Sequence, residues 1–261
     1  MNPIGLFLMS LGVGTLVGLT SMGGAALMTP LLMMFGGMKP VVAVGTDLAY
    51  GAVTKIVGAC MHWKQKTVDL RVALFLACGS IPGGGCGFLM IQYLHTHGLN
   101  ADQIVKRALG IVLVITAVIM IVRTLRQAKQ PSQPGRVSAF ILSHRKFAII
   151  AWGAVIGFAV GLTSVGSGSL IAPFLMVLFP YDSARVVGTD VFHAAILVSV
   201  TAALHGNAGH VDWHMVPIML AGSIPGVLIG SYLAPRLPSR PLRVGIGSVL
   251  LATGYQLVFA H

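Results

Sequence analysis

The tetrapeptide GLTS at residues 18–21 occurs again at residues 161–164, and a glycine-rich stretch follows each copy. The same offset of 143 residues (161 minus 18) relates several further pairs without a gap. These pairs are GTD at 45–47 and 188–190, VD at 68–69 and 211–212, GSIPG at 79–83 and 222–226, Pro30 and Pro173, and His62 and His205. Chance similarity between apolar stretches would match Leu and Val, but not Asp, His, Pro and Gly in one register. The sequence therefore predicts two homologous halves.

The composition places both halves in a membrane. Of the 261 residues, 56% are apolar and 9% are charged, and the mean hydropathy is +0.88. An ordinary soluble domain has roughly a quarter of its residues charged. The net charge is +11, but the basic residues lie in short connectors between apolar segments rather than on one polar face. We therefore expect an all-α polytopic membrane protein in contact with the lipid bilayer, and we exclude a soluble enzyme and a nucleic-acid binder.

Each half contains five apolar segments, and the second one is short. The segments span residues 3–20, 22–36, 41–61, 70–94 and 104–122, then 147–163, 165–179, 184–204, 214–233 and 243–260. A segment of about 15 residues reaches roughly 22 Å, which is less than the hydrocarbon core of about 30 Å. We expect a helix, a break and a half-helix in each half, followed by three spanning helices. The predicted divisions are an N-terminal membrane repeat (1–123), a basic cytoplasmic linker (124–146) and a C-terminal membrane repeat (147–261).

The distribution of Lys and Arg favours halves of inverted topology. If the first two segments of each half cross the membrane once, nine basic residues lie inside and seven outside. If those segments fold back, each half crosses an odd number of times, and thirteen basic residues lie inside against three outside. Because cytoplasmic loops are enriched in Lys and Arg, the second arrangement is preferred. It places both termini outside.

The two breaks are candidate anion sites. Glycine allows close approach of the backbone to a ligand, and the free N–H groups at a helix start favour negative charge. Small residues can equally serve helix packing through G-x-x-x-G spacing, and this alternative stays open. The candidate substrate-binding residues are Thr20, Ser21, Gly23, Gly24, Thr46, Thr163, Ser164, Gly166, Ser167, Gly168 and Thr189.

Asp47 and Asp190 lie about two turns into the third apolar segment of their halves. An ionisable side chain there is costly, so it is a functional hypothesis by default. Each carboxylate could carry a proton that couples transport to a gradient, or it could cap the broken helix by accepting from backbone N–H groups. Lys55 projects within about 80° of Asp47 on a helix. It could pair with Asp47 or attract the anion.

Other repeated residues have structural or gating interpretations. His62 and Asp69, like His205 and Asp212, could relay protons at a membrane mouth or pin a loop by a hydrogen bond. Pro82 and Pro225 should kink their helices and would suit a moving element. Tyr50 and His193 break the repeat, and packing is the better interpretation of both. Three cysteines are expected in the core, and neither their spacing nor any other motif indicates a metal site or cofactor; they are Cys60, Cys78 and Cys86.

This duplicated pattern resembles the TauE/SafE sulfite exporter family of membrane permeases. The resemblance covers about residues 5–255 and depends on the glycine-rich breaks followed by Pro, the Gly-Thr pairs, the His and Val-Asp turn, and Gly-Ser-x-Pro-Gly. It implies passage of small anions, typically sulfite or organosulfonates such as sulfoacetate, across the bacterial inner membrane. Members often have a fuller glycine triplet at the break and Gly-Thr-Ser after it. Here Asp is the third residue of this Gly-Thr motif in both halves. The two added carboxylates change the electrostatic field where an anion would bind.

Three functions are compared. The first is a secondary transporter that exports small sulfur-containing anions, driven by protons or membrane potential, with the anion between the two breaks at the midplane. The second is an uncoupled channel for the same anions. The third is an intramembrane hydrolase that would use a serine with His193 or His205. The sequence disfavours it because it has no G-x-S-x-G motif and contains no Glu for H-E-x-x-H. The expected partners are a small anionic substrate and lipid; a homodimer is compatible with the sequence but not required by it.

Overall fold

The computed structural model describes residues 2–20, 24–126, 145–166, 168, 170–179, 181–233 and 239–259. In these ranges the regular structure is helical, without strands. The predicted all-α fold is therefore confirmed. Most of the predicted linker, together with Ser21, Gly23 and Ser167, lies outside the described residues.

The first half begins with helix α1 (Pro3–Thr20). After the break come a 3₁₀ turn (Gly24–Leu27) and the short helix α2 (Met28–Met34). Three long helices follow: α3 (Pro40–Lys64), α4 (Leu70–Thr96) and α5 (Ala101–Arg126). Helix α2 has only seven residues, so the half-helix predicted for residues 22–36 is shorter than expected.

The second half repeats this order. Helix α6 (Arg145–Thr163) is followed by the short helix α7 (Ile171–Leu178), which has eight residues. The long helices are α8 (Ser183–Asn207), α9 (Met215–Leu233) and α10 (Ser239–Phe259). Helices α4 and α9 continue through Pro82 and Pro225. Aspartates fix two helix starts, since Asp69 accepts from two N–H groups of α4 and Asp182 accepts from one of α8.

Seven of the described helices are long and apolar enough to cross a membrane: α3, α4, α5, α6, α8, α9 and α10. Helix α1 supplies a shorter apolar stretch, Pro3–Leu19. Large apolar side chains such as Ile4, Leu89 and Tyr255 are more than half exposed, as expected for surfaces that face lipid. The three cysteines are also exposed, so their predicted core placement is wrong. Lipid accepts an apolar side chain as readily as a protein core does.

Glycines bring the backbones of two helix pairs into contact. In α4, a Cβ added at Gly79 or Gly83 would overlap the carbonyl oxygens of Ile150 and Ala154 in α6. The equivalent glycines of α9, Gly222 and Gly226, would meet Phe7 and Leu11 of α1 in the same way. Residue numbers rise together in both helices, so each pair runs parallel. The packing interpretation of the GSIPG motif is therefore the one that these contacts support.

The contacts between the halves obey a pseudo-twofold relation. Gly45 lies against His210, and their counterparts at an offset of 143, Gly188 and Thr67, also lie against each other. In the same manner Asp212 N–H donates to Thr46 Oγ1 at 3.0 Å, while Asp69 N–H donates to Thr189 Oγ1 at 2.9 Å. Reciprocal contacts of this kind are the signature of a twofold interface. The most extensive helix contacts therefore run between the halves.

The directions of the helices bear on the predicted inversion. Gly51 and Gly58 of α3 contact Val198 and Val191 of α8, so these equivalent helices run antiparallel. Helices α5 and α10 are also antiparallel, because Gly110 lies near Gly254 while Gly247 lies near Ile121 of α5.

In the chain, the short helix α7 stands between α6 and α8, and these two helices run in the same direction. Helix α8 runs parallel to α4, where Ser80 meets His193 and Gly84 meets Thr201, and α6 runs parallel to α4 as well. Since α6 and α8 share a direction, the chain between them has to return. These helix directions support the inverted arrangement, which remains a prediction.

Candidate functional site

Asp47 joins the two halves at the second break. Its side chain is buried, with 5% of its surface exposed. The Oδ2 atom accepts from the hydroxyls of Thr29 in α2 and Ser164, the latter at 3.0 Å. Ser164 has a φ of 63° and directly follows α6, so the chain turns sharply there. A carboxylate of one half is thus held by the interrupted helix of the other.

Asp190 occupies the equivalent position in α8 and is 4% exposed. The backbone N–H of Gly168, in the second break, donates to its carboxylate. Among the described residues, no hydrogen-bond partner reaches the Oδ1 atom of Asp190. A buried carboxylate oxygen without a partner is unfavourable unless it is protonated or another group satisfies it. Asp190 is therefore the less satisfied of the two carboxylates.

Lys55 interacts with both Asp47 and Asp190. Its ammonium group interacts electrostatically with Asp190 most strongly and with Asp47 next. The predicted association with Asp47 thus has a second partner, from the other half. With both carboxylates ionised these three groups carry a net charge of −1, and with both protonated they carry +1. Protonation therefore reverses the sign of the local charge.

The second break has the backbone geometry that a glycine-rich turn permits. Gly166 has a φ of 133° and Gly168 a φ of 89°. Thr163 ends α6, where its hydroxyl donates to the Ala159 carbonyl at 2.7 Å and accepts from Val165 N–H at 3.3 Å. At the first break, the structure describes the chain up to Thr20 and again from Gly24. The assignment of both breaks to substrate binding remains a prediction.

The threonines of the GTD motifs have a structural contact. Thr46 and Thr189 are fully buried, and each accepts the loop N–H that precedes a long helix of the opposite half. Their hydroxyls hold the halves together. Substrate binding by these two residues remains a prediction.

The histidines that end α3 and α8 bond to groups other than the predicted aspartates. His62 Nδ1 lies 2.9 Å from Thr67 Oγ1, which pins the loop after α3. His205 is fully buried, and its Nε2 lies 3.0 Å from the Gly161 carbonyl of α6. Among the described contacts there is no His–Asp pair at either loop, and the proton-relay interpretation remains a prediction. The loop-pinning alternative fits His62.

Asp69 lies outside the spanning segments, where it binds Tyr181 and Arg185 of the other half. The Tyr181 hydroxyl donates at 2.6 Å, and the Arg185 guanidinium lies at 3.3 Å. Burial alone would raise the pKa of Asp69, but the Tyr181 hydrogen bond, the N–H groups of Val72 and Arg71 and the charge of Arg185 together lower it. The carboxylate is therefore ionised at neutral pH.

A buried serine–histidine pair contains His193, which the sequence connected with a serine only in the disfavoured hydrolase hypothesis. Ser80 Oγ lies 2.7 Å from His193 Nε2, and both side chains are fully buried. The counterpart of His193 is Tyr50, also buried, while Ser223 is the counterpart of Ser80. The other sequence signal was that His193 and Tyr50 differ at equivalent positions. That signal marks divergence between the halves but does not give the contact.

The sequence profile described as "Sulfite exporter TauE/SafE" matches residues 6–257. The chain belongs to the TauE/SafE family. Its similarity to the probable membrane transporter YjnA of Bacillus subtilis is 42% identity over 98% of this chain and 99% of the relative. The probable membrane transporter YunE of B. subtilis is 25% identical over 99% of this chain and 98% of its own length. The probable membrane transporter MJ0441 of Methanocaldococcus jannaschii is 25% identical over 93% of this chain and 90% of its own length. No solved structure gives a significant match.

Membership in the TauE/SafE family, together with the seven apolar helices, makes this chain a multi-pass membrane transporter. It is not an enzyme, as the sequence predicted. The relatives cover both halves of the chain, so the transporter assignment applies to the duplicated unit as a whole.

Proposed function

We propose that the protein is a secondary transporter that exports small sulfur-containing anions, such as sulfite or an organosulfonate, across the bacterial inner membrane. The anion would bind between the two breaks near the midplane of two inverted repeats. The observation that carries this proposal is the cluster of Asp47, Asp190 and Lys55, which joins both halves at the second break.

The charge of this cluster suggests how protons are coupled to the anion. With both carboxylates ionised, the net charge of −1 repels an anion. Proton binding to Asp47 and Asp190 leaves Lys55 as the excess charge, and the free N–H groups of the break can then contribute to binding. Release of the protons on the other side would free the anion, so the protons and the anion move in the same direction, and outward movement is driven by the anion's own gradient. Anion affinity is therefore expected to rise as the pH falls.

An uncoupled channel for the same anions is the alternative. It would require flux that follows the anion gradient without any dependence on proton movement. Buried carboxylates beside a buried lysine favour the coupled mechanism, because a pore has no need of groups that bind and release protons.

Sulfite flux in proteoliposomes tests the proposal. The wild-type protein should accelerate sulfite movement in response to a pH gradient. The double variant Asp47→Asn/Asp190→Asn should fold in detergent but lose this dependence, because neither amide carries a proton. Asp182→Asn, at an exposed helix start, is the control and should behave as wild type. A pH-gradient dependence that persists in the double variant would show that these carboxylates do not carry the proton.

A further inference from the structure

A groove of about 500 Å³ opens between the C-terminal half of α3 and the adjoining part of α8. Its volume is in the range of small-molecule sites, roughly 300–1,000 Å³. Seven of the nine lining residues are apolar, among them Ile56, Trp63, Phe192 and Ile196. The carboxylates, threonines and break residues of the candidate anion site do not line it. The groove is therefore chemically distinct from a path for a hydrated anion.

The walls of the groove belong to the outer surface of the helices. Ile56 is 48% exposed and Trp63 is 52% exposed, although both are carried by a helix long enough to span the membrane. Trp63 stacks on Phe192 across the two helices, with ring centroids 5.5 Å apart. Such an apolar surface on a spanning helix faces hydrocarbon, and tryptophan is typical of the interface with the headgroups. The groove can thus hold an acyl chain.

Positive charge lies at one end of the groove. Lys64, the last residue of α3, is a lining residue and is exposed. Lys66 follows on the same connector and Arg71 lies in the first turn of α4. Arg185 of the other half reaches this connector through Asp69. The Lys and Arg distribution predicts this connector to be cytoplasmic. Basic pockets between spanning helices on that side bind acidic lipid headgroups.

We propose that this groove binds an anionic phospholipid, with one acyl chain along α3 and α8 and the phosphate at Lys64. The lipid supplies hydrocarbon for the apolar walls and a negative charge that can pair with Lys64. A second copy of the chain would cover the apolar walls, but the groove itself offers no acidic side chain to meet a partner's lysine. Charge complementarity therefore favours the lipid. This site is independent of the proposed substrate.

Native mass spectrometry of the purified full chain tests this site. The protein is titrated with phosphatidylglycerol and, separately, with phosphatidylcholine of the same acyl composition. The wild type should retain phosphatidylglycerol at lower concentrations. Lys64→Gln should weaken this retention about fivefold, the factor that corresponds to about 1 kcal/mol for one basic residue near an anionic surface. Lys39→Gln, on the connector predicted to lie outside, is the matched control and should retain phosphatidylglycerol as wild type does.

Cys60→Phe provides the second variant, since it fills the groove while leaving Lys64 in place. It should reduce retention of both lipids. Equal phosphatidylglycerol retention by Lys64→Gln, Lys39→Gln and wild type would overturn the proposal. So would a wild-type dimer that Cys60→Phe converts to a monomer with lipid retention unchanged, because the groove would then be a subunit interface.

Discussion

Lys55 has no counterpart in the second half, where Val198 takes the equivalent position. Both halves contain the aspartate, so the single Lys55 interacts with two carboxylates, Asp47 in α3 and Asp190 in α8. Thr29 shows the same divergence, because Ala172 stands in its place in the second half. Asp47 therefore gains a hydroxyl partner from α2, whereas the residue equivalent to Thr29 offers none to Asp190. The two acids are related by duplication but are chemically unequal.

Gly166→Val tests the break at the residue scale. The φ of 133° is strained for any side chain, and the valine would turn the backbone N–H groups away from a bound anion. We expect the variant to lose the thermal stabilisation that added sulfite gives the wild-type protein. Gly37→Val is the matched control, because Gly37 also has a positive φ, 64°, in open space. Unchanged stabilisation of Gly166→Val by sulfite would place the anion elsewhere.

Asp69→Asn tests the contact between Asp69 and the other half. Because the pKa of Asp69 is lowered by folding, its carboxylate stabilises the fold above the ordinary Asp pKa of about 3.9. That stabilisation is lost as the pH falls through the lowered pKa. We expect the variant to lose at most about 1 kcal/mol at pH 7, since the pair is partly exposed. The loss should disappear in acid, as followed by thermal unfolding.

Asp182→Asn is the control for this measurement, because it caps a helix without an ion pair among the described contacts. An amide caps a helix about as well as a carboxylate does, so this variant should change little at any pH. If Asp69→Asn retained full stability at pH 7, the contact with Arg185 and Tyr181 would have no role in holding the halves together.

At the element scale, the long helices are joined by close backbone contacts between the halves. Helix α4 packs on α6, and α9 packs on α1, through glycines spaced at four residues. A four-residue spacing puts these glycines on one face of a helix, where the missing side chains let the backbones meet. In lipid, van der Waals packing replaces the hydrophobic effect as the force between helices. Close approach is therefore the main source of stability for these pairs.

Gly79→Ala tests this packing. The added methyl group overlaps the Ile150 carbonyl oxygen, which is backbone and yields little. We expect a destabilisation of about 1–3 kcal/mol, typical of overpacking. Gly85→Ala in the same helix is the control, because nothing lies within 4 Å of the added carbon. It should be neutral or slightly stabilising. Equal thermal unfolding of the two variants in detergent would contradict the close-contact account of α4 and α6.

At the scale of the whole molecule, the most extensive helix contacts run between the two halves. The first helix of each half packs on the fourth helix of the other, and the third helices pack on one another. Because the helices of one half pack on those of the other, the candidate site lies at the interface between the halves. A movement of one half against the other would change the surroundings of Asp47 and Asp190, which suits alternating access.

Thiol labelling tests the inverted topology. With the three native cysteines replaced by Ala, single cysteines are introduced by Gln65→Cys and Asn207→Cys, on the equivalent connectors of the two halves. We expect an impermeant maleimide to label the first from the cytoplasm and the second from outside, because inversion puts equivalent connectors on opposite sides. Labelling of both from the cytoplasm would refute the inverted arrangement.

Several features were predictable from the sequence because they depend on local spacing. The offset of 143 residues revealed the duplication, the length of each apolar segment distinguished long from short helices, and Asp47 and Asp190 stood out as acids within apolar runs. The breaks were placed correctly where they are described, since α6 ends at Thr163 and glycines with positive φ follow. Periodicity and composition encode such features along the chain itself.

Only the tertiary structure decided which residues meet. Ser164 reaches Asp47 from 117 residues away, and His205 bonds to the Gly161 carbonyl rather than to Asp212. The exposure of the three cysteines could not be predicted either. Apolar residues suit both a protein core and a surface that faces lipid, so the sequence does not distinguish the two environments. Such contacts depend on the relative orientation of helices from different halves. Many glycine contacts between helices together set that orientation. A local sequence pattern does not contain this information.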